Sequence, residues 1–143
     1  MSTKSEFAKS QLAGGFGCAA SVLSTFCEDY DLDTEKAVML ACGLGGGCAS
    51  GEICGAISGA VLVIGLKYGM KSLEDTEAKA KCHERVVQFI KDFKEKNKSI
   101  TCNGLLECDT TTDEGFAVYL EKRGTVCPAF VKDSVEILEE LGY

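Results

Sequence analysis

Gly51-Glu-Ile-Cys-Gly-Ala-Ile-Ser-Gly-Ala-Val-Leu-Val-Ile-Gly-Leu-Lys-Tyr-Gly69 is the stretch that decides the fold. From Ile53 to Leu66 it runs 14 residues without a charge. A bilayer crossing takes about 20 apolar residues, so the run reads as a buried core helix that does not insert into a membrane. Ser50 or Gly51 starts it and Tyr68-Gly69 ends it. Gly51, Gly55 and Gly59 fall at a four-residue spacing, which lets another backbone come close.

Working outward, apolar residues mostly recur at three and four, and no Asn-Gly or Asp-Gly hairpin signal occurs. The chain reads as a single-domain, all-α helical bundle over residues 1–143 with the glycine-rich helix at its centre. Upstream, a helix over Ser5 to Leu12 stops at Gly14-Gly15. A second begins near Gly17 and runs through Ala19, Val22, Leu23 and Phe26. Asp31, Asp33 and Thr34 offer caps for a third, with Val38, Leu40 and Ala41 as its apolar face. Gly43-Leu-Gly-Gly-Gly-Cys48 then breaks the chain. Downstream, Ser72 with Asp75 resembles a capping box ahead of a charged helix, Glu74 to Lys96, whose stripe is Cys82, Val86, Phe89 and Phe93. A turn of helix after Thr101, a polar loop and a segment Glu114 to Arg123 follow. Thr125 or Cys127 caps the last helix, with Pro128 at its first position and Phe130, Val135, Leu138 and Leu141 inward.

The composition is 45% apolar, ample for a core that needs neither disulfide nor zinc as a staple. The start, MSTKSEFAKS, has no apolar core of a signal peptide. A cytoplasmic location is expected, where clustered cysteines mean metal or redox chemistry more often than structural disulfides. The net charge of −7 argues against nucleic acid as a partner.

Nine cysteines stand in this chain, and their positions divide them. Cys18, Cys54, Cys102 and Cys127 each lie at or near a predicted helix start. There, unpaired N–H groups and the positive end of the helix dipole favour thiolate over thiol, lowering a pKa of about 8.5 into the range of roughly 3.5 to 7.5. Cys27, Cys42, Cys82 and Cys108 read as small hydrophobes packed in the core. Cys48, in the glycine loop, is an auxiliary or resolving thiol if it has a chemical role.

The segments Gly15-Phe-Gly-Cys18-Ala-Ala-Ser-Val-Leu, Gly45-Gly-Gly, Gly51-Glu-Ile-Cys54-Gly-Ala-Ile-Ser-Gly59 and Val61-Leu-Val-Ile-Gly-Leu-Lys-Tyr-Gly69 resemble the C_GCAxxG_C_C family, as do Cys102 ahead of Leu105-Leu106 and Cys127 ahead of the last helix. The resemblance covers nearly the whole chain. It implies a redox-active protein in anaerobe-like metabolism whose four defining cysteines map onto Cys18, Cys54, Cys102 and Cys127. Gly17 departs from the asparagine frequent before the first cysteine, and Cys48 is an additional thiol.

Two chemistries fit four such thiols. One is thiol–disulfide exchange or electron transfer with a redox partner protein, Cys54 serving as nucleophile and Glu52 as proton acceptor. Glu52 serves equally well as a favourable first-turn charge. The other is a cysteine-ligated iron–sulfur cluster, zinc or other thiolate-bound metal, though no CxxC pair supplies the usual local spacing. His83, among Lys81, Glu84 and Arg85, is a solvent-facing residue and a poor base. A third reading is a non-catalytic helical interaction module. A homodimer would use the last helix or the glycine-rich helix.

Overall fold

In the computed structural model, which describes residues 2–143, the chain folds as eight α-helices joined by short turns. They are α1 Thr3–Ala13, α2 Cys18–Phe26, α3 Thr34–Ala41, α4 Gly55–Tyr68, α5 Thr76–Asn97, α6 Cys102–Leu106, α7 Asp113–Thr125 and α8 Cys127–Glu140. Among the described residues there is no strand. A single antiparallel bridge joins Ile53 and Thr101. The all-α expectation holds.

Side-chain caps explain half of the helix starts. Ser2, Asp33, Thr101 and Thr112 each accept a first-turn N–H, from Ser5, Lys36, Gly104 and Gly115 in turn. Each satisfies a donor that the helix leaves unpaired. Ser72 does not form the expected capping box. Its carbonyl accepts the Asp75 N–H, and the Asp75 carboxylate turns back to the Lys71 N–H.

The central position of α4 follows from its small residues. It packs on α2, α5 and α8, and it buries Gly55, Ala56, Ile57, Gly59, Ala60, Val63 and Ile64. A Cβ on Gly59 would stand 2.6 Å from the Ala19 carbonyl oxygen, so only glycine permits this approach of α4 to α2. The Ser134 hydroxyl on α8 donates to the Ala56 carbonyl at 2.7 Å, fixing the first turn of α4 from the other side. Phe26, Phe89 and Phe93 fill the space around these helices. Both helices expected to offer a contact to a second copy therefore use their apolar faces inside the domain.

Three local expectations change. Helix α4 begins at Gly55, later than Ser50 or Gly51, because residues 52–54 run extended against residues 100–102. Leu40 points outward, 64% exposed, since only Ala37 and Ala41 of α3 are buried against the body. Cys42, read as a core residue, is exposed at the end of the same helix. No helix among the described residues is long and apolar enough to cross a membrane.

Candidate functional site

Four helix beginnings meet at one point. Cys18, Cys102 and Cys127 are the first residues of α2, α6 and α8, and Cys54 is the residue that precedes α4. All four line one small cavity with Gly46, Leu105, Leu106, Tyr119 and Phe130. The antiparallel bridge does part of this work. The Cys54 N–H donates to the Ile100 carbonyl at 2.8 Å, and the Cys102 N–H donates to the Glu52 carbonyl at 2.6 Å. Residues 54 and 102 thereby share one face of the pair, as diagonal neighbours do in a ladder. Gly55 lets α2 close on the site, since a Cβ there would stand 3.0 Å from the Cys18 Cβ.

The ionisation of these thiols departs from the helix-start expectation. Each of the four is at most 9% exposed. Burial pushes the Cys54 thiol up to about 12, with Cys18 adding to the rise, although the first-turn N–H groups of Ala56 and Ile57 pull it down. Burial likewise raises Cys102 to about 11. Cys18 is raised well above the ordinary value, first because the Cys127 thiol shares a hydrogen bond with it and then by burial. Desolvation outweighs the dipole, so these three are neutral thiols when the site is closed and reduced. Arg123 is the one side chain pulling Cys18 the other way.

Cys18 alone of the four also faces outward. It lines a surface groove of about 270 Å³ with Leu12, Phe16, Tyr119, Arg123 and Pro128. A second groove, of about 420 Å³, lies across Tyr119 and is lined by Gly46, Thr110 and Phe116 among others. Tyr119 is thus common to both grooves and to the thiol cavity. Its hydroxyl rises above the ordinary value through burial and then through Cys18, Cys102 and Cys127.

The rim near Tyr119 is an unusual turn. Gly46, Gly47, Cys48 and Ala49 all have positive φ, from 55° to 66°. The left-handed conformation costs roughly 1–2 kcal/mol for a residue with a Cβ, so Cys48 and Ala49 hold real strain. A Cβ on Gly47 would collide with the Glu52 backbone, which makes glycine obligatory there. The turn sets Gly46 beneath the Tyr119 hydroxyl.

Those four thiols suit a metal centre by donor chemistry, but their placement does not. Among the described residues, no three His, Cys, Asp or Glu side chains are placed to hold a metal ion. The cavity between the thiols measures about 10 Å³, room for about one water molecule. As placed, the residues do not fit a cluster or zinc.

The family model described as "Putative redox-active protein (C_GCAxxG_C_C)" matches residues 16–141. The chain belongs to the C_GCAxxG_C_C family. Neither a curated protein nor a solved structure matches it. The family match spans every helix that contributes a thiol to the site, from the start of α2 through α8.

Of the remaining candidates, Cys48 is exposed on the strained turn and does not line the thiol cavity. The Glu52 side chain is exposed and lines none of these cavities; its backbone matters instead, through the bond to Cys102. His83 is exposed on α5. Cys27 is fully buried, while Cys82 and Cys108 pack partly buried against the core. Tyr119 and Arg123, one turn apart on α7, carried no sequence signal, because the run Phe116-Ala-Val-Tyr-Leu120 has no apolar stripe at helical spacing to single either out.

Proposed function

We propose that this chain is a dithiol–disulfide redox protein in which Cys18 reacts with an external disulfide and Cys127 resolves the product. The observation that carries the reading is the double position of Cys18, which lines both the outer groove and the four-thiol cavity with the Cys127 thiol beside it. Cys54, confined to the interior cavity, is a weaker choice of nucleophile than its helix position alone implies.

Exchange begins from the thiolate, so Cys18 must first lose its proton, a loss that Arg123 favours. Its sulfur then attacks one sulfur of the disulfide carried by a redox partner protein. The S–S bond of the partner breaks, a mixed disulfide forms on Cys18, and one partner thiolate leaves and takes up a proton. Cys127 loses its proton and attacks Cys18, releasing the second partner thiolate, which is protonated in turn. The partner gains two electrons and two protons, and the chain keeps a Cys18–Cys127 disulfide. The same steps reversed take two electrons and two protons from a reduced dithiol partner and restore the Cys18 and Cys127 thiols. Cys54 and Cys102, held against the same cavity by the bridge, are placed to exchange with Cys18 once it is oxidised.

The test is a disulfide map of anaerobically reduced protein treated with a small excess of oxidised dithiothreitol. A reversible Cys18–Cys127 disulfide with loss of two free thiols is the expected result. In a Cys54→Ser, Cys102→Ser, Cys127→Ser variant, a small aliphatic disulfide should stop at a mixed disulfide on Cys18. Oxidation confined to Cys42 and Cys48, or anaerobic protein that carries iron and acid-labile sulfide, would replace this reading.

A further inference from the structure

A buried thiol cannot meet a partner sulfur unless something moves, and the structure points to what moves. Helix α7 is the least anchored of the long elements: of its 13 residues only Gly115 is buried. Phe116 and Leu120 on it are 49% and 45% exposed. A bond from the Lys122 ammonium to the Leu106 carbonyl ties it to α6, and its packing is chiefly on α8. Yet this loosely held helix carries Tyr119, whose ring stands where the two grooves and the thiol cavity meet. The ring is held by a stack on Phe116, 5.8 Å between centroids, and its hydroxyl rests against Gly46 of the left-handed turn. Elements with few buried contacts open locally at low free energy.

We propose that Tyr119 is the access-controlling residue of the thiol site, its ring separating two surface grooves that join over Cys18 when α7 shifts, so that it selects reactants by width. This rests on the reading of Cys18 as the reacting thiol. The two grooves, of about 270 and 420 Å³, together fall within the 300–1,000 Å³ typical of small-ligand clefts. Their lining is mixed and glycine-rich, with Arg123 the one charged residue at its edge. Such a shape admits a slender disulfide-bearing chain or small disulfide after a small shift of α7, and it excludes a broad aromatic group until the ring itself moves aside.

The experiment measures alkylation, which needs neither Cys127 nor any disulfide, so its outcome stands apart from the redox reading. In a Cys42→Ser, Cys48→Ser background, modification of Cys18 is followed by peptide mass spectrometry with two neutral probes, N-ethylmaleimide and N-(1-pyrenyl)maleimide. Cys27, fully buried and outside the cavity, reports global unfolding. In Tyr119→Ala the pyrenyl probe should gain at least about tenfold at Cys18, as expected if opening becomes easier by about 1.4 kcal/mol, with Cys27 unchanged. Tyr119→Phe should match the unsubstituted ring, because width and not the hydroxyl is the barrier. An unchanged ratio of the two probes in Tyr119→Ala, or equal opening in Tyr119→Phe, overturns the proposal. If Cys27 rises in parallel in the alanine variant, Tyr119→Leu decides. It keeps apolar contact on a narrower side chain, and the gate stands only if Cys18 alone gains reactivity there.

Discussion

Replacing Gly59 by alanine adds a single methyl group at the closest approach of α4 to α2. The new Cβ would lie 2.6 Å from the Ala19 carbonyl oxygen, 3.0 Å from the Ala19 Cα and 3.1 Å from the Val22 Cβ. Two of these atoms are backbone, so no side-chain rotation relieves the overlap and one helix must shift. Overpacking of this kind costs about 1–3 kcal/mol. The same substitution removes the penalty of glycine inside a helix, a gain of about 0.5–1 kcal/mol. Gly65 separates the two effects, since it lies in the same helix and its Cβ would meet nothing within 4 Å. Gly65→Ala should therefore stabilise the protein by the helix gain alone. The gap between the two variants isolates the steric cost, about 1–3 kcal/mol, or roughly 4–8 °C in Tm at its middle value. Urea unfolding in reducing buffer measures it, provided the slope m is shared so that the midpoints compare directly. If Gly59→Ala proves as stable as Gly65→Ala, the close approach of α2 and α4 is wrong, and with it the geometry that brings Cys18 to Cys54.

Two further outcomes follow from the electrostatics of the site. Because Cys54 and Cys102 sit near 12 and 11 when folded, against 9.0 for an ordinary thiol, the folded chain holds protons that the unfolded chain releases above pH 9. Stability is thus fully retained at neutral pH and declines from about pH 9 toward 11–12. Replacing both residues with serine should flatten that decline in denaturant midpoints; an unchanged slope would show that these thiols do not carry it. Arg123→Gln removes the cation that pulls Cys18 down, so the pH profile of Cys18 alkylation should move upward while its high-pH plateau stays the same. An unmoved profile would place Arg123 outside the site's electrostatics.

What could be read from residues alone was whatever local rules govern. Pro128 after Cys127 and Thr101 before Cys102 mark helix starts within a few residues, and such signals placed all four cysteines correctly at helix beginnings. The apolar run of α4 identified the central helix for the same reason. Features that depend on residues distant in sequence were not legible. The pairing of Ile53 with Thr101 joins segments with no strand pattern, and it delays the start of α4 by several residues. Leu40 and Cys42 continue a helical pattern, yet the body of the protein lies against only one side of α3. Tyr119 sits inside the unbroken apolar run Phe116 to Leu120, where no periodicity singles it out, and its place over the cavity follows from the path of α7.

The thiol pKa values show why a correct local reading gave the wrong sign. A helix start lowers a thiol pKa through partial charges that act over the first turn, and Ala56 and Ile57 do exert that pull on Cys54. Four such starts, however, cannot converge without excluding water from the point where they meet, and the desolvation that results acts on Cys18, Cys54 and Cys102 together. Each thiol also faces others that would repel its charge, as Cys18 does for both Cys54 and Cys102. The arrangement therefore disfavours several thiolates at once far more than it disfavours one. Joining two sulfurs in a disulfide removes both the charge and the proton from the problem. A pocket that penalises thiolates but accommodates neutral sulfur suits both end states of a dithiol couple. In the proposed exchange the charged intermediate falls on Cys18 because of access, since the outer groove and Arg123 reach it there while its own burial raises its pKa.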